Sequence, residues 1–144
     1  HLEARMTSTY NDIRQAIEAR IATEMALAPA YPVSYENVPF TPSSNSTWIK
    51  AQIRFGSNSY ATLVGPTTGS NRQSGILVID VFSPIGVGTG ANLTISERLK
   101  RLFDREVISQ IIFDAADGPA FVEPAAPASF FQTELTITFS AFVQ

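Results

Sequence analysis

The first amphipathic pattern in the chain lies near its beginning and predicts a helix. Apolar side chains recur there at spacings of three and four residues, at Tyr10, Ile13, Ile17, Ile21 and Met25. This spacing places them on one face of an α-helix. Thr7 and Ser8 are candidate N-caps, and Pro29 and Pro32 predict that the helix ends near Ala28.

A second helix is predicted after a glycine-rich segment at residues 86–90, which Pro84 separates from the preceding strand. The apolar stripe of this helix comprises Leu93, Leu99, Leu102 and Phe103, and Ile95 lies alongside it. Lys100 and Arg101 fall on the opposite, outer side. Such a division between apolar and charged faces is typical of a helix that packs on a core.

Three longer segments have the patterns of β-strands. From residue 48 the chain alternates, with Ile49, Ala51, Ile53 and Phe55 on one face and Trp48, Lys50, Gln52 and Arg54 on the other. Residues 130–142 alternate in the same way, so both segments predict half-buried strands. Residues 75–82 are apolar on both faces apart from Asp80, which predicts a central strand.

Shorter segments complete the predicted order of elements. Extended or strand segments are expected at residues 33–37, 60–64 and 107–113, with a turn at residues 114–118. Loops are expected at residues 41–47, 65–71 and 119–127, which are rich in Ser, Pro, Gly or Ala. The polar loop before the central strand, taken as residues 65–73, is expected to be mobile in isolation. Two interpretations remain open for it, a functional contact in an assembly and a tolerated surface insertion.

The order of helix, strands, helix, strands predicts an α+β fold. We expect a mainly antiparallel β-sheet with two helices packed on one face, since this arrangement buries both apolar stripes. The core where the helices meet the central strand is predicted to contain Ile17, Ile21, Leu77, Ile79, Leu99 and Phe103. The other face carries Trp48 and Arg54, and is polar enough for water yet suited to contact another protein.

Length and composition narrow the classes of function. The 144 residues suit a single domain. Residues 1–5 precede Met6 and look like the remnant of an expression tag, so the domain is expected over residues 6–144. The chain has no cysteine, which excludes disulfides and thiolate metal sites. A net charge of −3 without a basic run argues against sequence-independent nucleic-acid binding. No apolar stretch reaches the length of a membrane span, and no charged segment followed by an apolar run is typical of a signal peptide.

No catalytic, cofactor-binding or metal-binding residue is predicted. The sequence Gly86-Val87-Gly88-Thr89-Gly90-Ala91 formally fits a dinucleotide fingerprint, but Pro84 intervenes and a turn is the favoured interpretation. Asp114 and Asp117 supply too few oxygens for calcium and favour a turn as well. Asp80 is expected to be buried, where it would pair with a nearby arginine or lie at an oligomer contact. Asn45 and Asn92 match the glycosylation pattern, which carries no weight without a signal peptide.

The segment from Arg72 to Gly88, Arg-Gln-Ser-Gly-Ile-Leu-Val-Ile-Asp-Val-Phe-Ser-Pro-Ile-Gly-Val-Gly, followed by a helix, resembles the signature of phage tail terminator proteins. The strand that begins Trp48-Ile49-Lys50, the N-terminal helix and the closing aromatic strand are similar to the same family. The resemblance implies a tail-terminator-like domain and a structural virion protein without enzymatic activity or cofactor. Many relatives have arginine where this chain has Lys50, so no specific role is transferred to that residue.

The resemblance also implies how the protein works. Members of the tail terminator family form a ring, usually hexameric, that caps the head-proximal end of the tail tube. The ring ends tube polymerisation and joins the tail to the head. The implied partners are further copies of the chain, the tail tube protein and a head-completion or connector protein, with DNA only passing through the channel and no membrane. The implied location is the virion tail, and the host cytoplasm during assembly.

Two other functions stay open at this point. One is a different structural role in the same particle, as a tail-tube subunit or head–tail connector. The other is a small-ligand binding domain, which rests only on the glycine-rich turn. For the assembly role, the candidate contact residues are Trp48, Arg54, Arg72 and Asp80.

Overall fold

The computed structural model describes residues 8–61 and 69–144 and confirms an α+β fold. In chain order the elements are α1 (Tyr10–Met25), β1 (Val33–Tyr35), β2 (Trp48–Tyr60), β3 (Asn71–Pro84), α2 (Gly90–Phe103), β4 (Val107–Ile108), β5 (Ile111–Phe113), β6 (Asp117–Val122) and β7 (Phe130–Val143). No helix in the described ranges is long and apolar enough to cross a membrane.

The strands of the described ranges form one sheet with the order β1-β2-β3-β7-β5-β4, and β6 also pairs with β7. Only the pair of β1 and β2 is parallel within these ranges. The long strands β2 and β7 flank β3 on its two sides, so the apolar segment around Val78 is indeed a central strand. A strand with neighbours on both sides satisfies its backbone hydrogen bonds without water, which suits its continuous apolar sequence.

Alternation along the three long strands divides the sheet into two faces. On the first face, rows such as Ala51–Ile79–Leu135 and Ile53–Leu77–Ile137 run across β2, β3 and β7. They pack in one buried cluster with the apolar sides of α1 and α2. All six residues that were predicted to join the helices to the central strand are in this cluster.

Helix α1 begins one residue later than the candidate caps. Thr9 is the N-cap, and its hydroxyl accepts a hydrogen bond from the Asp12 N–H while the Asp12 carboxylate accepts one from the Thr9 N–H. This reciprocal capping box satisfies two N–H groups that would otherwise lack partners. The helix ends at Met25 rather than near Ala28. Tyr10, at its first position, is half exposed, while the rest of the predicted stripe is buried.

Helix α2 is rotated relative to the predicted stripe. Its buried positions are Asn92, Ile95, Ser96, Leu99 and Phe103, which recur at spacings of three and four. Leu93 is 44% exposed, so its inclusion in the stripe was wrong. The error arose because a polar residue, Asn92, takes the buried position of the first turn.

The short strands differ most from the predictions. Residues 107–113 form a hairpin of β4 and β5, since Ser109 and Gln110 have φ of 48° and 68° and reverse the chain. The segment predicted as a loop from residue 119 begins within β6. Tyr60 belongs to β2, and residues 71–73 belong to β3.

Some predictions concern residues outside the described ranges. These are the tag remnant at residues 1–5, the start at Met6, Thr7 as a cap, and the parts of the predicted strand and loop at residues 62–68.

Candidate assembly surface

The second face of the sheet, away from the two helices, presents four rows of side chains across β2, β3 and β7. The register defines them as Trp48–Phe82–Gln132, Lys50–Asp80–Glu134, Gln52–Val78–Thr136 and Arg54–Ile76–Thr138. The first row is buried and the last is exposed. The face is therefore covered at one end of β3 and open towards the other.

Trp48 lies at the covered end, inside an aromatic cluster of its own chain. Its ring stacks on Phe82 with centroids 4.1 Å apart and an interplanar angle of 8°. Phe130 meets it edge-on and Phe40 covers it from the preceding loop. The side chain is 4% exposed, so the isolated chain does not offer this ring to a partner. Its Nε1–H has no hydrogen-bond partner among the described residues.

Asp80 is buried in the second row beside Lys50 and Glu134, its cross-strand neighbours. An arginine partner was one of the two expectations for Asp80, but the side chain bonded to it is Gln132, whose Nε2 donates to Asp80 Oδ1 at 2.9 Å. Burial raises the pKa of Asp80 to about 6; Gln132 and Lys50 oppose the rise and Glu134 adds to it. Gln132 also accepts a bond of 3.1 Å from the Ala126 N–H, which ties the loop after β6 to this carboxyl group.

Arg54 and Arg72 lie at the open end, on a part of the β2–β3 hairpin that we call the arm, residues 54–60 and 71–76. Within the described part of the chain, the guanidinium of Arg54 reaches only Gln52 Oε1, at 3.4 Å. Arg72 donates to Ser140 Oγ at 3.0 Å and lies 6.0 Å from the ring centre of Phe142. Arg54↔Ile76 and Ser59↔Arg72 are cross-strand pairs on the second face, so the two arginines share it.

The four candidate contact residues thus form two groups rather than one site. Trp48 and Asp80 are buried near the C-terminal end of β3, and Arg54 and Arg72 are exposed near its N-terminal end. Their role in assembly stays a prediction. Alternation along β2 could place Arg54, but it could not show that the chain's own loop covers Trp48.

The glycine-rich segment after β3 forms a tight loop beside an apolar groove. Gly86 and Gly88 have φ of 92° and 87°, which favour glycine. The groove, which we call the end groove, has a volume of about 370 Å³ and lies between this loop and the loop after β6. Its lining includes Ile85, Gly86, Thr89, Val122, Glu123 and Phe131, and none of the described residues that line it is basic. This lining does not favour a nucleotide, because Glu123 would repel the phosphates.

The two aspartates of the turn predicted at residues 114–118 lie next to or within strands. Asp114 accepts a hydrogen bond from Thr138 Oγ1 at 2.7 Å. Asp117 starts β6. Across the described residues there is no group of three or more His, Asp or Glu placed to hold a metal ion.

Sequence reasoning missed a buried polar junction at Asn92. Its Oδ1 accepts from Ser83 Oγ at 2.6 Å, and its Nδ2 donates to the Val81 carbonyl at 2.9 Å and to Thr133 Oγ1 at 3.3 Å. The side chain is fully buried, so the glycosylation pattern at this position is inaccessible in the folded chain. Asn92 instead joins the start of α2 to β3 and β7.

Three comparisons with known proteins complete the description. A family model described as phage tail terminator protein matches residues 12–109, from α1 to the turn after β4. No curated protein sequence matches significantly.

Among solved structures, one superposes with a TM-score of 0.65 over 92% of this chain and 95% of its own, at 22% sequence identity. At that identity the likeness shows the fold alone. The family match covers more than half of the chain and agrees with the resemblance of the β3 segment. The chain therefore belongs to the phage tail terminator protein family and is a structural component of phage tails.

Proposed function

We propose that this chain forms a hexameric ring that caps the head-proximal end of the tail tube. In this role the ring ends polymerisation of the tube protein and offers its other side to a head-completion or connector protein. The observation that carries the proposal is the family match over residues 12–109. The chain would assemble in the host cytoplasm and remain at the head-proximal end of the tail.

The sheet supports assembly into a ring because its borders are unpaired within the described residues. On one side, β1 pairs with β2 only at residues 49–51, which leaves the arm part of β2 as an edge. On the other side, β4 and β6 are edge strands. Exposed edges readily pair or pack with another chain. Two different borders on one molecule favour heterologous contacts, which close into a ring when the rotation from one copy to the next permits it.

The proposed role works by contact and requires neither catalysis nor a cofactor. DNA would only pass through the channel of the ring. The net charge of −3 suits such a channel, since like charges limit adhesion of the phosphate backbone.

Purified chain added to polymerising tube protein tests the proposal directly. We expect tubes that stop growing and carry the chain at one end, as seen by negative-stain microscopy with a labelled chain. Molar mass in solution and ring size on the grid give the stoichiometry. Self-polymerisation into tubes would instead indicate a tube subunit, and binding to heads without binding to tubes would indicate a connector.

A further inference from the structure

The proposed ring requires two different surfaces on each copy that fit one another, and the inference below rests on that ring. In a heterologous contact, one surface of a molecule meets a second surface of its neighbour. The arm and the end groove are suited to these roles because they lie at opposite ends of β3. This strand has 14 residues, so its ends are roughly 45 Å apart.

The arm offers a basic and partly apolar surface. Its two segments contain Arg54 and Arg72 and no acidic residue. Ile76 pairs with Arg54 across the strands and is 37% exposed. Arg54 is exposed, and the one hydrogen bond that its side chain makes with a described residue, to Gln52, is at the long limit of hydrogen bonding. Its guanidinium is therefore available to a carboxylate of another molecule.

The end groove offers the complementary surface, apolar with one acidic group. Ile85 and Phe121 are 65% and 62% exposed, and the ring of Phe121 lies 5.5 Å from that of Phe131 in the groove wall. Glu123 lines the groove and makes no ion pair with any described residue. Exposed apolar side chains grouped around a groove are typical of a protein contact site.

We propose that the arm of one copy docks in the end groove of the next copy. Arg54 and Arg72 face Glu123, and Ile76 packs against Ile85 and Phe121. Symmetric alternatives are disfavoured by charge, since arm against arm opposes arginines and groove against groove opposes Glu123 residues. Glu123 also disfavours DNA as the occupant of the end groove. A second copy of the chain is suited to this place because its arm is basic and partly apolar.

Charge reversal tests the contact on the full chain. The arm variant carries Arg54→Glu and Arg72→Glu, and the groove variant carries Glu123→Arg. Each is expected to weaken self-association by about tenfold or more, because close charge pairs at an interface contribute strongly to affinity. Lys100→Glu and Glu97→Arg are the matched controls: they make the same types of charge change on the outer side of α2 and should leave assembly unchanged.

Mixing the two variants distinguishes this contact from general damage. The reversed arm fits the reversed groove and the native arm fits the native groove, so an equimolar mixture should assemble with alternating copies. Native mass spectrometry would show equal numbers of the two chains in each ring. One chain that carries all three substitutions should also assemble alone. Circular dichroism and thermal unfolding establish that every variant is folded.

The outcomes separate this inference from the proposed function. If wild-type rings form and the variants assemble equally well, or if the mixture stays dissociated, the arm-to-groove contact is wrong while the capping role stands. If the wild-type chain stays monomeric at every concentration, the contact is again wrong, and capping on tube ends is then judged by the tube assay alone. If rings form through this contact but never cap tubes, the proposed function fails instead.

Discussion

Position 75 of the central strand is a glycine, and the ring of Phe139 lies against its backbone. Gly75 pairs with Phe139 across β3 and β7, and a Cβ placed on Gly75 would overlap that ring. Phe139 also contacts the rings of Phe55 and Phe113, so it has little room to move. Only a residue without a Cβ therefore leaves room for the Phe139 ring at this end of the core.

Gly75→Ala is therefore expected to lower the free energy of unfolding by on the order of 1–3 kcal/mol, the usual cost of overpacking. Chemical denaturation followed by circular dichroism measures it. Gly90→Ala is the matched control, since its Cβ would meet nothing within 4 Å. It should be neutral or stabilise α2 by up to about 1 kcal/mol. Equal midpoints for Gly75→Ala and the wild type would contradict the packing described.

The raised pKa of Asp80 predicts that the stability of the folded chain depends on pH. This pKa is about 6 in the folded chain, above the ordinary aspartate value of 3.8, because the carboxyl group is buried beside Glu134. The folded state therefore binds this proton more tightly than the unfolded state. The stabilisation is fully present below pH 4 and is lost as pH rises through 6.

Asp80→Asn should remove this pH dependence. It keeps a side-chain oxygen at position 80 that can accept the hydrogen bond from Gln132 Nε2. We expect the variant to gain up to about 3 kcal/mol over the wild type at pH 7 but not at pH 4, at roughly 1.4 kcal/mol per pKa unit. Urea denaturation between pH 4 and pH 7 measures the difference. Glu97→Gln, at an exposed position on α2, should track the wild type. A constant difference between Asp80→Asn and the wild type at all pH values would refute the linkage.

At the scale of elements, helix α2 shows how a buried polar residue shares a helix face with apolar ones. Asn92 and Ser96 lie on the same side as Leu99 and Phe103. The partners of Asn92 on β3 and β7 offset the cost of its burial. Arg98 joins the same helix to the end of α1, with Nη1 donating to the Pro29 carbonyl at 2.8 Å and Nε to Glu24 at 3.2 Å.

The orientation of α2 is tested by substitutions at adjacent positions. Leu99→Ala should cost about 2–5 kcal/mol, since it removes a fully buried side chain from the core. Lys100→Ala and Arg101→Ala should change stability by less than about 0.5 kcal/mol, since both side chains are on the solvated side. Thermal and urea unfolding provide the values. An unchanged midpoint for Leu99→Ala would mean that another side of the helix faces the sheet.

At the scale of the whole molecule, the arm and the end groove place exposed apolar and charged groups at opposite ends of one strand. Tyr60 pairs with Asn71 at the last described rung of the arm. A two-residue turn fits directly between such paired residues. Replacing residues 61–70 with Asn-Gly would therefore close the hairpin without disturbing the register below it.

We expect the shortened chain to keep the wild-type unfolding midpoint under either interpretation of the loop. If the loop is a functional contact, the shortened chain loses the ability to cap tubes and complete infectious particles. The reason lies in the sequence of residues 65–71, whose polar composition suits an exposed connection, and exposed loops often carry contact residues. The matched control puts Asn-Gly in place of Ser109 and Gln110, where β4 and β5 already meet in a two-residue turn. Normal particle yields with the shortened arm would favour the interpretation of this loop as a tolerated surface insertion.

Local patterns in the sequence determined the long elements and their faces. Spacings of three and four placed Ile13, Ile17 and Ile21 on the core side of α1, and period-two alternation placed Arg54 on the open face of β2. These predictions succeed because burial of an apolar face repeats over many residues, so one exception does not hide the period.

Only the tertiary structure decided where the short strands form, which buried polar groups are partners and which end of the sheet is covered. The hairpin of β4 and β5 depends on left-handed backbone at Ser109 and Gln110, which carry no glycine signal. Asp80 and Gln132 meet from positions 52 residues apart, and Phe40 covers Trp48 from a loop. Such contacts depend on which strands become neighbours, and pairing between distant segments leaves no period in the sequence of either one.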